Sequence, residues 1–268
     1  MAGSPVTADQ RRKRNVRHDE VRVRYTERDV EILEAVGKLR FTTTSQLARL
    51  YFHSRSGANK RLRKLLDAGL VKVWVRQLAE ENVYSLTREG LKTLDASGIS
   101  VPRELDGNLE HLLMLNEVRI RFAFGVEAIG ASLAWWRSEW DLRAHGKERI
   151  IPDALFAVSW EEAEQIFALE VENQTSYPQG ILRKLLGYRA TPELYGSKRY
   201  RILIVGRHPP TLARYRQGVL TAGIGKDSWF ACLEDIGDFR EDIWEAGNDD
   251  RNYSFQTLLQ LTTQGGNP

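Results

Sequence analysis

Ser56-Gly57-Ala58-Asn59-Lys60-Arg61-Leu62-Arg63-Lys64-Leu65-Leu66-Asp67-Ala68 reads as a basic helix stopped by Gly69. Leu62, Leu65 and Leu66 make its apolar stripe, while Asn59, Lys60, Arg63 and Lys64 lie largely off it. Upstream, Thr43 opens a second helix, with Gln46 as its capping partner and Leu47, Leu50 and Tyr51 as its apolar face. Thr26 and Asp29 set the same pattern for a first helix, with Val30, Leu33 and Val36 on one face and Gly37 before a break. Downstream, Val71-Lys72-Val73-Trp74-Val75 and Asn82-Val83-Tyr84-Ser85-Leu86 flank a polar turn and predict a hairpin. Three helices followed by a hairpin, over Tyr25–Gly90, read as a winged helix-turn-helix whose hairpin is the wing.

A helix with cations and amides on one face suits the major groove of double-stranded DNA. There Arg and Lys pair with guanine edges or phosphates, and Asn pairs with adenine. The candidate DNA-binding residues are Arg55, Asn59, Lys60, Arg63 and Lys64 on the helix, with Lys72, Trp74 and Arg76 on the wing. Winged helices also serve as protein-interaction modules, and a charged helix face can simply be solvated, so both readings stay open.

The 268 residues carry a net charge of only +3, but it is uneven. Residues 1–100 hold 20 Lys and Arg against 12 Asp and Glu; the rest hold 19 against 24. A basic module therefore precedes an acidic one, and the basic one suits a polyanion. Residues 1–24, with Arg11-Arg12-Lys13-Arg14, read as a flexible basic arm. One cysteine, Cys232, excludes an internal disulfide framework and a cysteine zinc site, and reads as a buried strand thiol. No signal-like or membrane-spanning apolar segment is evident, so the expected location is the cytoplasm.

After a short helix at about 91–96 and a linker at 97–102, the second module (98–261) begins with a long helix over about 108–129. Three strand-like runs follow at 132–142, 149–160 and 165–172, then a helix at about 178–190, a strand at 200–206 and a helix near 211–220. Residues 262–268 read as a disordered tail. Helix, three strands, helix, strand predicts an α/β core with helices packed on a sheet. Within it, Asp153, Glu170 and Glu172 are acids in apolar strands. Residues two apart share a strand face, so pairing of the second and third strands as a hairpin brings the three together. Hard divalent cations favour such oxygens, and a metal held there activates water and offsets phosphate charge.

With these residues in view, the chain resembles the replication-relaxation family of plasmids and other mobile elements. The resemblance runs over about 25–205. It rests on the winged helix, on His111-Leu112-Leu113-Met114-Leu115-Asn116-Glu117-Val118-Arg119 and on Ile151-Pro152-Asp153-Ala154. It rests also on Phe167-Ala168-Leu169-Glu170-Val171-Glu172-Asn173-Gln174-Thr175 and on Lys184 to Tyr188. The second module also resembles the PD-(D/E)xK nuclease fold. The resemblance implies an α/β and α+β chain, a winged helix-turn-helix followed by a restriction-endonuclease-like domain. It implies Asp153 and Glu170 as ligands of Mg²⁺ or Mn²⁺, with Glu117 as an additional acid. The pattern departs where the fold wants a lysine two residues after the acid. Glu172 stands there, and Lys184 on the next helix is the candidate to take the lysine's role.

Other chemistries fit less well. The five histidines lack the spacing of a relaxase metal cluster, and Gly218, Gly223 and Gly225 lack that of a phosphate loop. No G-x-S-x-G elbow is present. Two readings remain: a DNA-binding protein of a mobile element with a metal-dependent nicking domain, or a noncatalytic regulator whose second domain forms a homodimer or recruits other replication or transfer proteins.

Overall fold

The computed structural model describes residues 26–76, 80–94, 98–105, 107–145, 149–174, 180–197 and 199–263. The arm expected at residues 1–24, the tail residues 264–268, the tip of the hairpin turn at 77–79 and residues 95–97 of the linker lie outside the described residues. Contacts divide the chain into two units, 1–113 and 114–268, so the division falls further along than Ser97.

The first unit runs α1 (Glu27–Leu39), β1 (Thr42–Thr43), α2 (Thr44–Tyr51), α3 (Arg55–Asp67), β2 (Val71–Trp74), β3 (Val83–Leu86) and α4 (Arg88–Lys92). The three strands form an antiparallel sheet in the order β1-β3-β2. Local capping sets these helices. Thr26 and Asp29 make a capping box for α1, Thr43 and Gln46 make one for α2, and Ser54 Oγ accepts from Gly57 N at 3.1 Å to start α3. Ile32, Leu33, Val36, Leu47, Leu62 and Leu65 meet in one core with Leu70, Val71, Tyr84 and Leu86. Two expectations need correcting. Val30 is exposed, and Ile32 takes the inward place beside Leu33. Gly37 does not end the helix, which runs to Leu39; a Cβ there would stand 2.8 Å from Ile99 Cγ2, so the missing side chain makes room for packing. Gln46 Nε2 donates to the Leu113 carbonyl at 2.9 Å, which ties residues beyond the expected linker into this unit.

The second unit is a mixed α/β fold. The helix α5 (Leu109–Ala128), whose residues up to Leu113 belong to the first unit, leads into β4 (Ser132–Ser138), α6 (Glu139–His145), β5 (Ala154–Trp160), β6 (Ala163–Glu172), α7 (Ile181–Arg189), β7 (Arg201–Gly206), α8 (Pro209–Ala222), β8 (Ser228–Cys232), β9 (Trp244–Ala246), β10 (Asn252–Tyr253) and α9 (Phe255–Thr263). Seven strands stand in the order β10-β9-β8-β7-β6-β5-β4, with β6, β7 and β8 parallel and the rest antiparallel. One face packs on α5 and α9 through Val118, Phe122, Phe156, Phe167, Leu203 and Phe255. The other packs on α7 and α8 through Leu155, Ala168, Leu185, Ile204, Leu212 and Val219. Gly187 lets α7 lie close: a Cβ there would stand 2.1 Å from Ile150 Cδ1.

The expected order of helix, three strands, helix, strand is present, with differences. The run at 132–142 is not one strand. It breaks at Ser138, whose N–H donates to Asp141 Oδ2 at 3.0 Å and so caps α6. The helix expected at 91–96 is α4, at Arg88–Lys92, and the strand expected from residue 149 begins at Ala154. Strands β9 and β10 and the helix α9 were not read from the sequence, and β8 was read only as the strand that carries Cys232. Thr262 and Thr263, expected in the tail, end α9. Cys232 is half-buried at the end of β8, with burial pushing its thiol pKa up.

Candidate functional site

Strand β6 carries the acids, and the sheet register decides what they meet. Ala154 pairs with Leu169 in the antiparallel β5–β6 ladder, so continuing one step sets Asp153 opposite Glu170. Asp153 is pinned on both sides. Its N–H donates to the Leu169 carbonyl at 3.0 Å, its carbonyl accepts from Glu139 N at 2.8 Å, and its Oδ2 accepts from Val171 N at 2.7 Å. Period two puts Glu170 and Glu172 on the same face as Ala168, the face covered by α7 and α8.

Each of these two acids is met by a tyrosine from a different helix. On α7, Tyr188 donates to Glu170 Oε1, and Lys184, one turn earlier, places Nζ 2.5 Å from Oε2. On α8, Tyr215 donates to Glu172 Oε2 at 2.7 Å, while Gln174 N donates to Oε1 at 2.7 Å. The Glu170 side chain is 6% exposed and that of Lys184 28%. Burial pushes the Glu170 carboxyl up to about 7, against the pull of Lys184, and Asp153 adds to the rise. Burial works against the Lys184 charge too, but Glu170, Asp153 and Glu139 hold its pKa above the ordinary value. Burial and the neighbouring carboxylates raise Tyr188 and Tyr215, so both hydroxyls keep their protons and act as donors.

The chemistry of this donor set fits a hard divalent cation: two carboxylates face each other across a ladder, and one cation, the Lys184 ammonium, already stands on Glu170. Asp153 and Glu170 would hold the ion. Among the described residues no group of three or more His, Cys, Asp or Glu is arranged to hold a metal.

The model of the replication-relaxation family matches residues 33–204, more than half of the chain. The chain belongs to the replication-relaxation family. No curated protein matches it. A solved structure that matches is restriction endonuclease FokI, at 12% identity and a TM-score of 0.30, over 78% of this chain and 42% of that one. At that score the likeness carries no argument, and the chain spans less than half the length of that enzyme.

In this replication-relaxation protein the expected residues fall into groups. Asp153, Glu170 and Lys184 come together. Glu172 shares their sheet face, but both its oxygens accept hydrogen bonds, one of them fixing the turn after β6. Glu117 lies on α5, which packs on the opposite sheet face, and it pairs with Arg121 at 2.8 Å. Arg121 in turn donates to the carbonyls of Leu233 and Ile236, both at 2.7 Å.

The expected DNA-facing residues also divide. Asn59, Lys60, Lys64 and Lys72 are exposed, and Lys72 Nζ sits 3.5 Å from the Trp74 ring centroid. Trp74 Nε1 donates to Ser85 Oγ at 2.8 Å. Arg55 pairs with Glu81 at 2.9 Å, Arg63 with Asp67 at 3.0 Å, and Arg76 with both Glu80 and Glu110. Among the described residues no helix is long and apolar enough to cross a membrane.

Sequence reasoning missed Tyr215 and Glu139, and quoted Tyr188 only as the end of a motif, without a role. Tyr188 stands four residues after Lys184, a helical spacing that puts both on one face, and this was the available signal. Glu139 and Tyr215 reach the site through tertiary packing that no local pattern records.

Proposed function

We propose that the first unit is a winged helix that binds double-stranded DNA and that the second is a Mg²⁺- or Mn²⁺-dependent nuclease domain that nicks DNA in the replication or transfer of a mobile element. The observation that carries this reading is the meeting of Asp153, Glu170 and Lys184 on one face of the sheet. The element order and the replication-relaxation membership support it. A bound divalent ion supplies an activated water and a counter-charge for the phosphodiester. The chain's own residues do the rest. Tyr188 fixes one oxygen of Glu170, the backbone of β6 fixes Asp153, and Lys184 supplies positive charge where negative charge builds on the phosphate. In the first unit, the exposed Asn59, Lys60 and Lys64 meet the major groove while Lys72 and Trp74 lie along the adjoining backbone.

The test is a supercoiled-plasmid assay with Mg²⁺ or Mn²⁺ beside calorimetric titration of the ion, in wild type, Asp153→Asn and Glu170→Gln. Nicking and ion binding are expected in wild type and lost in both variants. A wild type that binds no ion and leaves the plasmid intact selects the second reading, a DNA-binding regulator without catalysis. One observation favours that alternative: Glu172 stands where the nuclease pattern has lysine, and its oxygens are already bonded to Tyr215 and Gln174.

A further inference from the structure

Lys184 reaches Glu170 from α7, and the contact it makes occupies the oxygen that a divalent ion would need. Glu170 has two oxygens. Tyr188 donates to Oε1, and Lys184 Nζ stands 2.5 Å from Oε2. Tyr188 lies one helical turn beyond Lys184, so the two donors approach the carboxylate side by side from one rigid element. The tyrosine fixes the carboxylate plane, and only the lysine sits on a long, flexible stem. The Lys184 side chain is 28% exposed against 6% for Glu170, so the ammonium reaches solvent where the acid does not.

We propose that the Lys184 ammonium is the resident counter-ion of this site, and that a divalent ion binds Glu170 only as Lys184 leaves Oε2. This rests on the nuclease reading above and adds to it the regulation of the same site. A second cation brought to an oxygen that already carries an ammonium in a buried pocket meets like-charge repulsion, so metal and lysine compete. A DNA phosphate beside the site is an alternative partner for the lysine, and it draws the ammonium outward. Metal and DNA then bind with positive coupling, and by linkage each strengthens the other by the same factor. The exchange moves one ammonium and makes or breaks no covalent bond.

The experiment is Mn²⁺ titration by calorimetry of the full chain as wild type, Lys184→Met, Arg183→Met and Lys184→Met with Glu170→Gln. Lys184→Met should bind Mn²⁺ about tenfold more tightly than wild type. Arg183→Met, an exposed neighbour with the same charge loss, should match wild type, and the double variant should not bind. Equal or weaker binding by Lys184→Met overturns the counter-ion role and leaves the metal site standing. An equal gain in Arg183→Met overturns it as well, since the effect is then general charge. No binding in any chain overturns this inference and the nuclease reading together.

Removing the partner of a buried carboxylate can unfold the unit, so the wild type supplies an independent measurement. An ammonium held by a buried acid exchanges protons slowly and gives its own signal in a ¹⁵N-lysine-labelled chain. Saturating Mg²⁺ should shift that signal to the position of solvent-exposed lysines. A signal that stays in place while Mg²⁺ binds overturns the proposal.

Discussion

Asp29 in the first unit and Glu170 in the second are both buried acids facing a cation on a helix, yet their carboxyls are held in opposite directions. Asp29 is 1% exposed. Burial alone would raise it, but two nitrogens of Arg61 and both the N–H and hydroxyl of Thr26 donate to it, and its pKa falls below the ordinary value. Glu170 receives one ammonium and one hydroxyl, faces a second carboxylate in Asp153, and is pushed up to about 7. The difference is one of donor number and of neighbouring charge. Asp29 is fully supplied: it caps the start of α1 and joins α1 to α3. Glu170 is left under-supplied beside a like charge, so its carboxyl holds its proton to higher pH.

The largest expected effect breaks the Asp29 half of this contrast. Arg61→Ala leaves a buried acid without its cation and should destabilise the first unit by about 3–5 kcal/mol in urea unfolding.

The next effect concerns pH, and it has opposite signs in the two units. The contribution of Asp29 is present above its unfolded value of 3.8 and is lost as pH falls through its lower folded value. For Glu170 the folded value is raised, so its contribution is full below 4.5 and is lost as pH rises through about 7. Thermal melts from acid to neutral pH should therefore lose their acid-side decline in Asp29→Asn and their neutral-side decline in Glu170→Gln. A Glu170→Gln profile parallel to wild type would remove the contrast.

Tyr215→Phe sharpens the comparison within β6 itself. It takes one donor from buried Glu172 and should cost about 1–3 kcal/mol in denaturant unfolding. The smallest effect belongs to charges that stay in water. Lys60→Ala should leave stability unchanged and, on the winged-helix reading, lower the slope of log affinity for DNA against log salt by about 1 in a fluorescence titration.

Much of this organisation was legible in the chain. Capping is local, so Thr26 with Asp29 and Thr43 with Gln46 marked helix starts that the structure keeps. Period two alone put Glu170 and Glu172 on one face, and the apolar pattern marked α5 within a residue of each end. The run at 132–142 was misread because Trp135, Trp136 and Trp140 suggested a continuous strand, although Ser138 and Asp141 carried a helix-start spacing. The strands β9 and β10 hold three and two residues, too few for any period to register. The tyrosines that hold the acids were hidden for another reason: their partners are 18 and 43 residues away in sequence, and side-chain pairing over such spans follows from packing alone.

Gly187 sets the stand-off of α7 from the loop that carries Ile150. A helix resting on a bare backbone position works as a ruler, and one methyl group is its smallest graduation. Because Lys184 and Tyr188 are carried on either side of this point of contact, they share whatever displacement occurs there. The absence of a single carbon atom is thus part of the calibration of both donors' reach to Glu170.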